Sequence, residues 1–272
     1  MPIYGFMISA VLSALLSGLS LSLFSPYVTL RRISYMGEAL SHIAFAGIAL
    51  ALLTGWNMPF VTLAFVILIA LLIGYLAEKR KLDESNSITI FLSVSMALGI
   101  VLISLRKSYS FDLASYLFGN VLLVKSSDLW ALGILSLVDL GFILFFFKEL
   151  FYLTYNSEVA KVFRVRTAML NRLFLALLAA NIVLNLKTAG IILVSAQLIL
   201  PAATAANLSK RFAPLLMICV LVASVSSLGG FILSWSFNLP TGASIVLFEF
   251  LLYLLSLLLG AARETGKRRV KS

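Results

Sequence analysis

Charge is what this sequence has least of. Asp, Glu, Lys and Arg make up 12% of its 272 residues, against roughly a quarter in a soluble domain. That shortfall excludes a water-soluble globular domain. A hydrophobic content of 61% and a mean hydropathy of +1.07 point the same way. There is one cysteine, Cys219, inside an apolar run, so neither an intrachain disulfide nor a cysteine-based metal site is available. There is one histidine, His42, and no HExxH motif, which leaves an intramembrane metallohydrolase poorly supported. No GxxxxGK[ST] phosphate loop occurs. Any ATP that drives this protein must therefore be hydrolysed by a separate subunit, and the chain itself is not expected to be an enzyme.

What the sequence does have is apolar runs of about 20 residues, the length that carries a helix across about 30 Å of hydrocarbon. The runs are continuous rather than alternating, which disfavours a β-barrel. The expected fold is all-α, a polytopic membrane bundle of eight or nine helices forming one permease-type domain over residues 1–272. Spans are predicted at about 5–28, 33–54, 58–77, 87–105, 128–147, 172–186, 189–206, 214–236 and 243–262. Two connections are longer than the rest. Residues 106–127 contain a half-length apolar stretch, at 113–124, that reads as a re-entrant segment or a short surface helix. Residues 148–171 are polar, basic and helically patterned.

Orientation follows from Lys and Arg. With the N-terminus outside, 17 of the 21 basic residues fall in inside loops, and only Arg106, Lys107, Lys125 and Lys187 fall outside. The positive-inside rule then predicts an external N-terminus and a cytoplasmic C-terminus. The net charge of +10 reads as a basic face beside anionic lipid, and no nucleic-acid partner is expected. The first run has no charged segment before it, whereas Arg31 and Arg32 follow it; this is the pattern of a retained reverse anchor.

Against this background the stretch GEALSHIAFAG (37–47) is unusual. His42 lies ten residues beyond Arg32, about 15 Å deep at 1.5 Å per residue, close to the midplane. Glu38 is one turn shallower on the same face, and Ser41 adds a hydroxyl. Ionisable groups at this depth face a polar cavity or a partner. An imidazole with a carboxylate is also a partial ligand set for a borderline divalent cation. Two readings stay open here. Glu38 serves structure by pairing with the histidinium, Arg31 or Arg32, or the pair belongs to a cation site. Asp139, Gln197 and Glu249 are further polar groups deep in spans, as are Asn181 and Asn185; each either extends an ion path or is interhelical hydrogen-bond glue. In the long basic loop, Val159, Val162, Phe163 and Arg166 recur at helical spacing. That describes a short amphipathic helix that either docks a soluble partner or lies on lipid.

Several stretches together resemble the membrane subunit of the zinc/manganese/iron permease family of ABC importers. They are RRISYMGEALSHIAFAG (31–47), FDLASYLFGNVLLVKSSDL (111–129), SEVAKVFRV (157–165), TAGIILVSAQLILPAATA (188–205) and NLPTGASIVL (238–247). The resemblance implies a type II importer-like fold in the cell inner (cytoplasmic) membrane. It implies a homodimer seated on two ABC ATPase subunits that use ATP, and an extracellular or periplasmic binding protein that delivers the metal. The divalent metal is then a transported substrate, with no permanently bound cofactor. Glu38 and His42 become the transient metal ligands, and Ser41, Asp139, Gln197 and Glu249 candidate members of the path. Ser157, Glu158, Ala160, Lys161, Phe163 and Arg164 become the ATPase-contacting coupling helix within the loop at about 148–171. The chain departs from the pattern twice. Glu38 stands where Asp is usual, and Ala160-Lys161-Val162-Phe163-Arg164 replaces Ala-Arg-x-Leu-Gly. The histidine beside a carboxylate and the SYLFG segment favour zinc, with manganese or iron next. A cation-coupled secondary transporter using the intramembrane carboxylates, or an ABC permease for a metal chelate, are the alternatives.

Overall fold

The computed structural model describes residues 3–80, 84–105 and 124–269. These residues form helices and no strands, because a backbone in hydrocarbon must satisfy its own hydrogen bonds. The helices are α1 (Ile3–Leu30), α2 (Tyr35–Thr54), α3 (Met58–Arg80), α4 (Glu84–Ser104), α5 (Ser126–Phe145), α6 (Phe147–Tyr155), α7 (Ser157–Val162), α8 (Thr167–Gln197), α9 (Leu200–Leu208), α10 (Phe212–Phe237) and α11 (Thr241–Arg269). Of the expected re-entrant or surface segment at 113–124, residues 113–123 lie outside the described residues.

By length and composition there are eight candidate spans, one of them the 42-residue stretch Thr167–Leu208. At 1.5 Å per residue that stretch would measure about 63 Å, twice the hydrocarbon thickness. It does not run straight. Gly190 has φ 77° and ψ 166°, a conformation open to glycine and costly for any residue with a Cβ. The chain reverses there. Before the reversal, Lys187 pairs with Asp128 in the first turn of α5 at 2.6 Å. After it, Leu198 packs against Gly37 in the first turn of α2, and the Ala202 amide donates to Ser25 Oγ near the end of α1. The sixth and seventh sequence-predicted spans are therefore two crossings, and the break falls at Gly190, slightly beyond the expected gap.

The two ends of the bundle differ in chemistry. One end carries Arg31 and Arg32 after α1 and Lys210 and Arg211 before α10. There Phe24, Tyr27, Phe174 and Phe212 pack ring against ring at centroid distances of 5.2 to 6.1 Å. The opposite end carries all three tryptophans, Trp56, Trp130 and Trp235, each exposed. Exposed tryptophan belongs at a membrane–water boundary. The core runs between these ends through α1, α2, α3 and α8. The NLPTG stretch makes the turn from α10 to α11. Asn238 takes φ 52°, while the Ser234 hydroxyl donates to the Leu239 carbonyl at 2.7 Å and lies 2.9 Å from Thr241 Oγ1.

Candidate functional site

Helix α2 packs against α3, α4 and α8 through small residues such as Ala39, Ala44, Ala46 and Gly47, all buried. One stripe is left over. Tyr35 is exposed, and Glu38, His42 and Phe45 are half-buried. Steps of three and four residues place them on a single face of the helix. A carboxylate in the first turn of α2 and an imidazole one turn further along thus sit at the open side of a single chain. Neither makes a hydrogen bond or ion pair with any described residue. The nearby arginine is committed elsewhere. Arg31 Nη2 donates to Asn171 Oδ1 at 2.7 Å, and its guanidinium lies 5.2 Å from the centroid of the Phe174 ring. Ser41 is placed differently from its sequence neighbours. It lies roughly 100° round the helix from His42, is buried, and donates to the Gly37 carbonyl at 2.8 Å.

Among the described residues, no three His, Cys, Asp or Glu side chains cluster to hold a metal ion. One chain supplies at most an acid and an imidazole at this stripe, short of the four ligands of a closed zinc site. Such a site holds a divalent ion only in passing, or is completed from outside the chain.

The other deep polar residues are not on the stripe. Asp139 on α5 is fully buried and accepts a hydrogen bond from Asn181 Nδ2 at 2.9 Å. Gln197, at the end of α8, is buried with neither amide atom bonded to a described residue. Its neighbour Leu198 meets Gly37, so the end of α8 reaches the first turn of α2. Glu249 on α11 is fully buried, with both carboxylate oxygens unbonded among the described residues, and lies within electrostatic reach of Cys219 on α10. Sequence reasoning did not single out Ser20, which receives Asn185 Nδ2 at 3.4 Å. A serine in an apolar helix carries no signal of its own, and only the packing of α1 on α8 reveals it.

At the arginine end, α6 is followed by the short helix α7, which ends at Val162, short of the 157–165 expected for the amphipathic helix. Ala160 is buried, whereas Val159, Val162 and Phe163 are exposed, and Phe163 stacks on Tyr152 at 4.7 Å. The side chains of Ser157, Glu158 and Lys161 lie outside the described residues. The Val165 amide donates to the Ala160 carbonyl at 3.1 Å across Arg164, which has φ 58°. This is a helix-ending turn that glycine favours. Arg164 therefore keeps the left-handed turn for which the resembled motif uses glycine. An open groove of about 580 Å³ follows directly, lined by residues 165–169 with Arg172 and Leu173.

Comparison with known proteins places this geometry. Residues 3–260 match the ABC 3 transport family. The chain is 34% identical over 255 residues to the manganese transport system membrane protein MntC of Listeria innocua, covering 94% of this chain and 91% of that protein. It is 34% identical over 254 residues to a probable iron transport system membrane protein of Haemophilus influenzae, covering 93% of each. Among solved structures it superposes on PsaBC from Streptococcus pneumoniae with a TM-score of 0.79 at 30% identity, over 92% of this chain and 90% of that one.

Proposed function

The chain belongs to the ABC 3 transport family, and from that premise we propose that it is the permease subunit of an ATP-driven importer. Its substrate is a divalent metal ion, manganese first, with zinc or iron next. Relatives it matches include proteins named for manganese and for iron transport, which supports placing manganese ahead of the zinc favoured by the sequence. Glu38, one methylene longer than the usual Asp, and the presence of only one histidine also suit a harder, more oxygen-rich site.

The observation that carries this reading is the Glu38–His42 stripe. An ionisable pair facing lipid within a span is unfavourable, so the stripe needs a cover. A second copy of the chain meets that need. Two copies facing each other through α2 would bring two carboxylates and two imidazoles together, enough for four-coordinate binding of a divalent ion. The carboxylates offset the charge of the cation, and an ion held by few protein ligands can also leave. The single permease domain, 1–272, would have its arginine end in the cytoplasm. There the loop at 148–171 meets the ATPase, and nucleotide-driven closure of the ATPase pair rocks the two copies between outward- and inward-open states.

A cross-link tests the copy-to-copy contact. With Cys219→Ser removing the native thiol, His42→Cys in membranes should yield, with a short thiol-bridging reagent, a product of twice the 29.7 kDa chain mass. A chain that stays monomeric with cysteine at either 38 or 42 contradicts the facing arrangement.

The exposed apolar face of α7 supports docking of a partner. Val162→Asp leaves the fold alone, since that side chain is exposed, whereas Phe163→Asp also removes the stack on Tyr152. Either should lower uptake and transport-linked ATP hydrolysis about 10-fold or more, the scale of losing an interface hot spot. Normal uptake by both variants would assign the helix to the lipid surface instead.

A further inference from the structure

The buried polar cluster between α1, α5 and α8 has an unbalanced hydrogen-bond inventory. Asp139, Asn181 and Asn185 are each fully buried. An Asn side chain has two N–H donors, and both amides have used theirs. Asn181 Nδ2 donates to Asp139 Oδ2 at 2.9 Å and to the Leu177 carbonyl at 3.0 Å. Asn185 Nδ2 donates to the Asn181 carbonyl at 2.8 Å and to Ser20 Oγ at 3.4 Å. Left over are Asp139 Oδ1, Asn181 Oδ1 and Asn185 Oδ1, none bonded to a described residue. The Ser20 hydroxyl is spent on the Ser17 carbonyl at 3.2 Å, and that of Ser136 goes to the Leu132 carbonyl at 2.8 Å. Lys187, two residues beyond Asn185, is tied to Asp128 at 2.6 Å. The unbonded hydroxyl of Ser17 holds one proton and can serve one oxygen.

The cluster thus lacks one positive charge and several donors at once. A proton on Asp139 would cancel the charge but supply a single donor. A water would supply two donors and leave the carboxylate charged in a medium where that is costly. A cation ligated by these oxygens would supply the charge and stand in for the missing donors together. A divalent ion would overshoot, since one carboxylate leaves a net positive charge buried. Carboxylate, amide and hydroxyl oxygens are hard ligands. We propose that Asp139, Asn181, Asn185 and the Ser17–Ser20 turn form a binding site for one alkali cation, sodium or potassium, that ties α1, α5 and α8 together within each chain. The site is separate from the α2 stripe and does not rest on the metal-import reading.

The test is thermal unfolding of the full-length chain in detergent, titrated at constant ionic strength with sodium or potassium replacing choline. A ligand that binds only the folded form raises the transition temperature saturably. At about a hundred times the dissociation constant the rise should be about 5 °C, and the more effective of the two ions names the occupant. Asp139→Asn keeps the shape and removes the charge, and should abolish the rise. Asn185→Ala should move the titration to higher concentration, and it serves as the second variant if Asp139→Asn fails to accumulate. Three results would overturn the proposal: equal transition temperatures in all three salts, a rise that survives in Asp139→Asn or is unshifted in Asn185→Ala, and a dependence on pH alone. A rise produced by manganese but by neither alkali ion, and lost with Asp139→Asn, would overturn the monovalent assignment.

Discussion

His42→Ala and Glu38→Ala should each reduce ATP-driven metal uptake by at least about 100-fold, while assembly with the ATPase and basal ATP hydrolysis persist. Removing an outer-shell partner of a ligand costs about 10–100-fold in metal affinity or activity, and these residues are proposed as ligands themselves. If the ion passes between two copies, each substitution removes two ligands, which strengthens the effect. Structure gives no competing reason for loss. Neither side chain is bonded to a described residue, and both lie on the open stripe of α2, so truncation leaves no cavity in the core. Radiolabelled metal uptake into proteoliposomes, read beside ATP turnover, checks this. Near-normal uptake in both variants would make the pair structural.

The second large effect is on the fold. A Cβ added at Gly230 would lie 2.7 Å from the Ile245 backbone nitrogen and closer still to its Cα. Backbone cannot step aside as a side-chain tip can, so α10 and α11 would have to separate. Helices in membranes associate through such small-residue contacts, and forced overpacking costs typically 1–3 kcal/mol for even a methyl group. Gly230→Leu should therefore leave little folded protein in the membrane, and Gly230→Ala should lower the unfolding temperature. Gly141→Ala is the control, because nothing lies within 4 Å of its added Cβ. Equal behaviour of Gly230→Ala and Gly141→Ala, measured by size-exclusion profile and thermal unfolding, would remove this contact from the account.

Much of this was legible in the sequence. The number and type of the spans followed from apolar run lengths, and the shared face of Glu38 and His42 followed from the four-residue spacing. The start of α8 was placed at 172, but the helix begins at Thr167. Hydropathy marks only the part of a helix that meets hydrocarbon, and the first turn lies in the polar boundary layer. The reversal at Gly190 was anticipated as a gap between spans, yet its position depends on a backbone angle that composition does not encode. Ser41 was grouped with Glu38 and His42 because it is adjacent in sequence, although a helix turns adjacent residues apart. The bond from Asn181 to Asp139 joins residues 42 apart in sequence, and no periodicity predicts which buried amide meets which buried acid. At position 164 the sequence shows only that arginine stands where the resembled motif has glycine, and the structure has Arg164 in a left-handed turn.

The central claim is that this chain carries a divalent metal inward at the expense of ATP hydrolysed by a partner. Its most direct test is manganese accumulation in proteoliposomes containing the chain with its ATPase and binding protein, in competition with zinc and with all ion gradients collapsed. The account predicts accumulation that requires ATP and the binding protein, with manganese competing ahead of zinc. Accumulation without ATP that instead follows an imposed proton or sodium gradient would contradict it.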